Sequence, residues 1–263
     1  MKAIATNIRK NILHIANLSG SPHIGSALSC TDILTTLYFY VLNLADYKNR
    51  DLFILSKAHS AMALYATLHE KGLLTKEEME GYYQNGGTLP AHTDRFTNPY
   101  IEISAGSLGH GLPISLGMAH ALKLQNSKRH VYVLMGDGES QEGSVWEAAM
   151  LAPKLELDNL TVFIDRNNLQ GYGRADEILS YEPIDKKFEA FNWEVLRIDG
   201  HNTNAIKNAV NIKSNKPKMI ICDTIKGKGI SFMEDQLIWH YYIVTDEIKQ
   251  KAITELEESL NEK

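Results

Sequence analysis

Apolar positions recur along the chain with two distinct signatures. Near the N-terminus Ile4, Ile8, Ile12 and Ile15 return on one face of a 3.6-residue period and predict a helix over Lys2–Leu18. Elsewhere short apolar runs predict strands at Asp51–Leu55, Val131–Met135, Leu160–Ile164, Val195–Ile198 and Met219–Cys222. Helical patterns fill the spaces between them, at Thr31–Asn43, Ser60–Lys71, Gly109–Lys123, Glu142–Leu155, Glu182–Phe191 and Thr203–Lys213. A charged helix over Thr245–Leu260 closes the chain, and Thr75-Lys-Glu-Glu78 has the pattern of a capping box that starts a further short helix. Strands alternating with helices predict an α/β fold, a mostly parallel sheet covered by helices on both faces. No repeat, low-complexity tract or linker interrupts it, which predicts one domain over residues 1–263. The stretch Asn85–Ser107 carries no periodic pattern; an irregular segment of that length inside a compact domain is more often functional than idle.

Composition narrows the classes. A net charge of −5 offers no basic surface for nucleic acid. Cys30 and Cys222 are the only cysteines, which fits a reducing cytoplasm and argues against a disulfide scaffold or zinc cluster. The N-terminal helix lacks the apolar core of a signal peptide, and no apolar stretch approaches the roughly 20 residues of a membrane span. The expectation is a soluble cytoplasmic protein.

Two polar clusters each come directly after a predicted strand: Gly136-Asp137-Gly138 and, about thirty residues on, Asp165-Arg166-Asn167-Asn168. Either one alone is ordinary turn chemistry. Together they carry more, because successive parallel strands in right-handed βαβ units end on the same edge of the sheet. If the two strands are neighbours or near neighbours, Asp137 and Asn167 emerge side by side at the carboxyl edge, where open α/β sheets bind ligands. A carboxylate, an amide oxygen and backbone carbonyls are hard donors suited to Mg²⁺ or Ca²⁺, with phosphate oxygens and water completing the shell. Gly136 and Gly138 leave room for a diphosphate, and a helix starting near Glu142 would direct its positive end at it. Neither a Gly-x-Gly-x-x-Gly nor a Walker sequence is present.

The stretch from Gly136 resembles the thiamine-diphosphate fingerprint. The resemblance implies the diphosphate-binding domain of that fold, with thiamine diphosphate held through Mg²⁺ (or Ca²⁺ or Mn²⁺) by Asp137, Asn167 and the carbonyl of Leu169. Further segments resemble transketolase: SPHIGSALS with His23, LSKAHSAMALYA with His59, LPAHTD with His92, SAGSLGHGL with Gly106 and Leu108, GDGESQEG with Glu142, and KGKGISFMEDQLIWH with His240. They span Ser19 to His240. The resemblance implies cofactor contacts from Gly106, Leu108, Gly136, Asp137, Gly138, Glu142 and Asn167. It implies proton transfer and oxyanion stabilisation by His23 and His240, ketol-hydroxyl binding by His92, and His59 beside the cofactor. Imidazoles suit such work because they donate and accept near neutrality. His14, His69, His120 and His130 sit in ordinary structural contexts, and His110 and His201 read as organisers of a turn or helix start. The chain departs from the family at Pro22, before the first histidine, and at Tyr241-Tyr242, where a glycine is usual after the late histidine.

Transketolases also carry a pyrimidine-binding domain, and this chain ends about where the diphosphate-binding domain would end. The implied protein is the N-terminal subunit of a split transketolase, completed by a C-terminal subunit in a heterotetramer and acting on sugars or sugar phosphates. Alternatives stay open: ketol or acyl transfer in specialised biosynthesis, a non-catalytic regulatory subunit, or an unrelated Mg²⁺-dependent phosphoryl-transfer or hydrolase domain.

Overall fold

The computed structural model describes residues 1–261. Five strands, β1 (Leu52–Leu55), β2 (Val131–Gly136), β3 (Leu160–Arg166), β4 (Glu194–Asp199) and β5 (Lys218–Asp223), form one sheet in the order β1-β2-β3-β5-β4, and every pairing is parallel. Side chains alternate across it. Val131, Val133 and Met135 of β2 join the core under α6 (Gly111–Leu124), α7 (Gly143–Lys154) and α9 (Ile184–Ala190). Tyr132 and Leu134 join the opposite core, with α1 (Lys2–Ser19), α4 (Ala61–Glu70), α10 (Thr203–Asn211) and α11 (Asp246–Asn261). Both faces are therefore dry along β1, β2, β3 and β5, which explains why those strands read as largely apolar runs, whereas the edge strand β4 is partly exposed and carries Arg197. The capping box forms as predicted, with Thr75 and Glu78 exchanging bonds at the start of α5 (Lys76–Glu80).

Several boundaries differ from the sequence pattern. A six-residue helix, α2 (Ile24–Ser29), was not predicted; all its residues are buried, so no amphipathic period marks it. The helix predicted from Thr31 to Asn43 is α3 (Thr31–Thr36) followed by a π-turn at Leu37–Val41. The strand β3 runs two residues beyond its prediction, so Asp165 lies in the sheet itself, opposite Gly136 of β2. A 3₁₀ turn, Gly138–Gln141, separates β2 from α7, whose first residue is Gly143. The irregular segment after Asn85 carries no helix or strand before α6.

The carboxyl edge is held by one buried ion pair. Asp165 is 0 % exposed and accepts from Lys57 Nζ, from Ser29 Oγ at 2.5 Å and from Thr224 Oγ1. Lys57 follows β1, Ser29 ends α2 and Thr224 follows β5, so this carboxylate ties three segments to the end of β3. Lys57 Nζ also donates to the Ser26 carbonyl at 3.1 Å. Removing one partner of a buried pair strands the other charge. Lys57→Met should therefore lower folding stability by about 3–5 kcal/mol, read as a lower urea midpoint by circular dichroism. The double variant Lys57→Met/Asp165→Asn should recover part of the loss, and an unchanged midpoint in K57M would refute the assignment.

Candidate active site

A cavity of about 390 Å³ opens at this edge, and every site residue picked out in the sequence lines it: His23, His59, His92, His240, Gly106, Leu108, Gly136, Asp137, Gly138, Glu142, Asn167 and Leu169. Another cavity of about 390 Å³ lies beside α7 and α9, lined by Trp146, Tyr181 and Phe191 among others. Its walls are largely apolar, so the chemistry belongs to the first.

Three imidazoles cluster on one side. The His23 ring lies 5.4 Å from His59 and 4.8 Å from His240, centre to centre. His23 adopts a left-handed φ of 73°, a strained conformation for a residue with a side chain. Its N–H donates to the His240 carbonyl at 2.8 Å, and its Nδ1 is buried with no partner. Burial, then the neighbouring His92 and Lys226, pulls its pKa down to about 4. Burial and Lys226 lower that of His240 to about 3. His59 is pushed well below the usual range by burial and by Lys57. All three are neutral at pH 7. His240 Nδ1 faces Lys226 Nζ at 2.9 Å. A cationic ammonium can only donate, so Nδ1 accepts and the N–H of His240 is on Nε2. His92 reaches the cavity from the segment between α5 and α6; its carbonyl and that of Pro90 face the Tyr65 hydroxyl.

Oxygen donors occupy the floor. The carboxylate of Asp137, 4 % exposed, accepts from the N–H groups of Gly138 and Asn168 and from no cation. Burial, with Asp165 adding like charge, pushes its pKa up to about 6. Asn167 Oδ1 accepts from Leu169 N at 3.1 Å, while its Nδ2 faces Asp165 and Ser29 at 3.4 and 3.5 Å. The Leu169 carbonyl accepts from Lys226 Nζ at 3.0 Å and keeps a second lone pair. A divalent cation fits this set, because it would supply the charge that the Asp137 carboxylate lacks. Among the described residues no group of three or more His, Cys, Asp or Glu side chains is placed to hold a metal, so phosphate and water oxygens would have to complete the shell.

The sequence reading missed several residues. Glu142 lines the cavity but is not buried. The buried acid at that corner is Glu139, which accepts from Ser56 Oγ, Gly109 N at 3.0 Å and Gly136 N at 3.2 Å. Gly109 has φ 81°, and a Cβ there would come within 2.5 Å of Glu142 Cβ, so the turn that brings Gly106 and Leu108 to the cavity requires glycine. Lys57, Lys226, Glu139, Gln170 and Tyr172 were not picked out either, although Lys57, Lys226 and Glu139 fall inside the motif stretches; Tyr241, marked only as a departure from the family, lines the cavity too. A charged residue close behind a fully apolar strand, as Lys57 is two residues past Leu55, is compatible with a buried pair. The structural histidines fall where expected: His14 pairs with Glu80, His69 with the Leu74 carbonyl, and His130 stacks on Tyr132. His110 stands at the N-cap position of α6, its ring facing the Leu108 carbonyl at 3.1 Å, and His201 bridges Asp32 and the N–H of Ile225.

A parallel sheet with oxygen donors and neutral imidazoles converging on one carboxyl edge is the architecture of a thiamine-diphosphate-dependent transferase. The chain belongs to the transketolase family: residues 1–254 match the family described as transketolase, thiamine diphosphate binding domain. It is 39 % identical over 259 residues to an apulose-4-phosphate transketolase subunit of Phocaeicola vulgatus, covering 96 % of this chain and 92 % of that one. It is 40 % identical over 260 residues to a 6-deoxy-6-sulfo-D-fructose transketolase subunit of a Clostridium species, covering 96 % and 94 %. The crystal structure of Campylobacter jejuni transketolase superposes with a TM-score of 0.88 at 30 % identity, covering 97 % of this chain but 43 % of that longer one. No helix among the described residues is long and apolar enough to cross a membrane.

The raised Asp137 pKa has a measurable consequence. An acid that ionises less readily in the fold than in the unfolded chain binds more protons when native, so its ionisation costs stability as pH rises through the window from 3.8 to about 6. Relative to Asp137→Asn, the metal-free protein should lose on the order of 2–3 kcal/mol of stability between about pH 4 and 7. Urea midpoints of both proteins across that range test this, and a constant difference between them would contradict it.

Proposed function

We propose that this chain is the N-terminal, cofactor-holding subunit of a two-chain transketolase. With a C-terminal partner that carries the pyrimidine-binding domain, it transfers a two-carbon ketol unit from a ketose or ketose-phosphate donor to an aldose acceptor. The observation that carries this is the meeting, in one cavity, of the Asp137, Asn167 and Leu169 oxygens with the His23, His59 and His240 imidazoles. Both relatives carry the word subunit in their names, which supports the two-chain form, and a heterotetramer of two copies of each chain is the assembly we expect. The two are named for different sugars, so kinship supports the reaction class and leaves the sugar open. We read residues 1–263 as one domain and place the enzyme in the cytoplasm, in keeping with Cys30 and Cys222 buried as free thiols.

In this reading the Asp137 carboxylate, Asn167 Oδ1 and the Leu169 carbonyl would hold Mg²⁺, with Ca²⁺ or Mn²⁺ as substitutes. Gly136 and Gly138 would leave the backbone open to the diphosphate, and Glu142, Gly106 and Leu108 would line the same cavity. When bound, thiamine diphosphate supplies the nucleophilic carbon that carries the two-carbon fragment. The protein moves the protons. His240 presents an Nε2–H that can stabilise a developing oxyanion, while His23, neutral and with an unpartnered Nδ1, can accept a hydroxyl proton. His59 packs against both rings beside the cofactor, and His92, toward the rim, binds the ketol hydroxyl.

The test is reconstitution with the partner chain, which should generate ketol transfer that neither chain shows alone. His23→Ala should lower kcat by roughly 10²-fold or more while thiamine diphosphate affinity, measured by calorimetry with Mg²⁺, changes little. Because burial, before all other causes, pulls His23 down to about 4 and His240 to about 3, neither imidazole should contribute an acid limb near the usual 6.5 to turnover. Loss of cofactor binding in H23A with turnover per bound site intact would refute its assignment, and transfer by the chain without a partner would refute the two-chain reading.

A further inference from the structure

We propose that Tyr241 is the specificity-determining wall of this cavity, selecting aldose acceptors by the length of chain beyond the aldehyde. The proposal deepens the ketol-transfer reading and rests on it. The 3₁₀ turn Leu237–His240 delivers His240 and Tyr241 together. It is anchored by Trp239, 6 % exposed, whose Nε1 donates to the Phe232 carbonyl at 3.1 Å. That anchor splits the tyrosine pair. Tyr242 stands edge-on to Trp239, 5.3 Å between centres, and does not line the cavity. Tyr241 does line it, with its ring 4.6 Å from that of His240 and 6.0 Å from that of His23. Because Tyr241 is also 54 % exposed, it stands at the rim, between the imidazoles and solvent.

Its hydroxyl lies against Gly171, where a Cβ would fall 2.6 Å from the phenol oxygen. Gly171 is not among the residues with positive φ, so its backbone does not demand glycine. A side chain at Gly171 would press on the Tyr241 phenol and, at 3.2 Å, on His240 Nε2, so the glycine lets this ring lie where it does. A substrate whose reacting carbon sits among His23 and His240 must pass this ring with the rest of its chain. The ring offers an apolar face to sugar C–H groups, while its hydroxyl is turned against Gly171. No free positive charge from this subunit competes for that role. Lys57 is committed to Asp165, Lys226 to the Leu169 and Gln170 carbonyls and His240, and no arginine lines the cavity among the described residues.

The experiment compares Y241A and Y241F with the parent in the reconstituted complex, using glycolaldehyde as a short acceptor and D-ribose 5-phosphate as a long one. Y241A should raise the ratio of kcat/KM for the long over the short acceptor by about tenfold, the scale of steric discrimination in a pocket, and chiefly through KM. Y241F, which keeps the ring, should hold the parent ratio. A ratio unchanged in Y241A, or shifted as far in Y241F as in Y241A, overturns the proposal. A second readout needs no turnover: carbethoxylation of His240 by diethylpyrocarbonate, followed by mass spectrometry, should be several-fold faster in Y241A. If the parent complex transfers no ketol unit with any acceptor, the two-chain reading fails, and equal labelling rates in Y241A and parent would then separately overturn the wall.

Discussion

The site depends on the buried pairing of Lys57 with Asp165. Both side chains are almost wholly withdrawn from water, at 1 % and 0 % exposure, and each would be costly alone. Together they fasten the segment after β1, the end of α2 and the residue after β5 to the end of β3. The pair also sets the electrostatics of the cavity. The negative end adds to the burial that keeps Asp137 from ionising easily. Burial, with the positive end second to it, keeps His59 neutral, and burial with Lys226 does the same for His240. One internal charge pair therefore prepares two chemistries at once: an oxygen site short of positive charge, and imidazoles free to donate and accept without carrying charge of their own.

Much of this was legible in the sequence because a doubly covered parallel sheet leaves a strong trace. Its strands are short apolar runs, and the residues just after each run emerge at the same edge. That logic was enough to put Asp137 beside Asn167, and the register of β2 on β3 bears it out, with Gly136 opposite Asp165. The histidines came from resemblance rather than from pattern. Nothing periodic links His23, His59, His92 and His240, which reach one cavity from four separate segments.

The features that stayed hidden did so for physical reasons. The helix α2 is buried all round, so it shows no polar face to reveal its period. Asp165 read as part of a polar turn because a carboxylate inside a sheet is improbable until its lysine is known, and Lys57 lies 108 residues away in the chain. Glu139 and Glu142 are close together in the same motif, and only the fold decides which one is buried. The tyrosines after His240 were visible as a departure from the family. Their division of labour required the Trp239 anchor, which sets one at the rim of the cavity and packs the other against Trp239.

The central claim is that a divalent cation on a bound diphosphate belongs among Asp137, Asn167 and the Leu169 carbonyl. Its most direct test is a crystal structure of the chain grown with thiamine diphosphate and Mn²⁺, read by anomalous scattering from the metal. The account predicts a strong peak in contact with those three oxygens and with the diphosphate, and Lys226 still beside His240. Diphosphate and metal bound elsewhere, for instance in the apolar cavity lined by Trp146 and Tyr181, with Asp137 left free of metal, would contradict it.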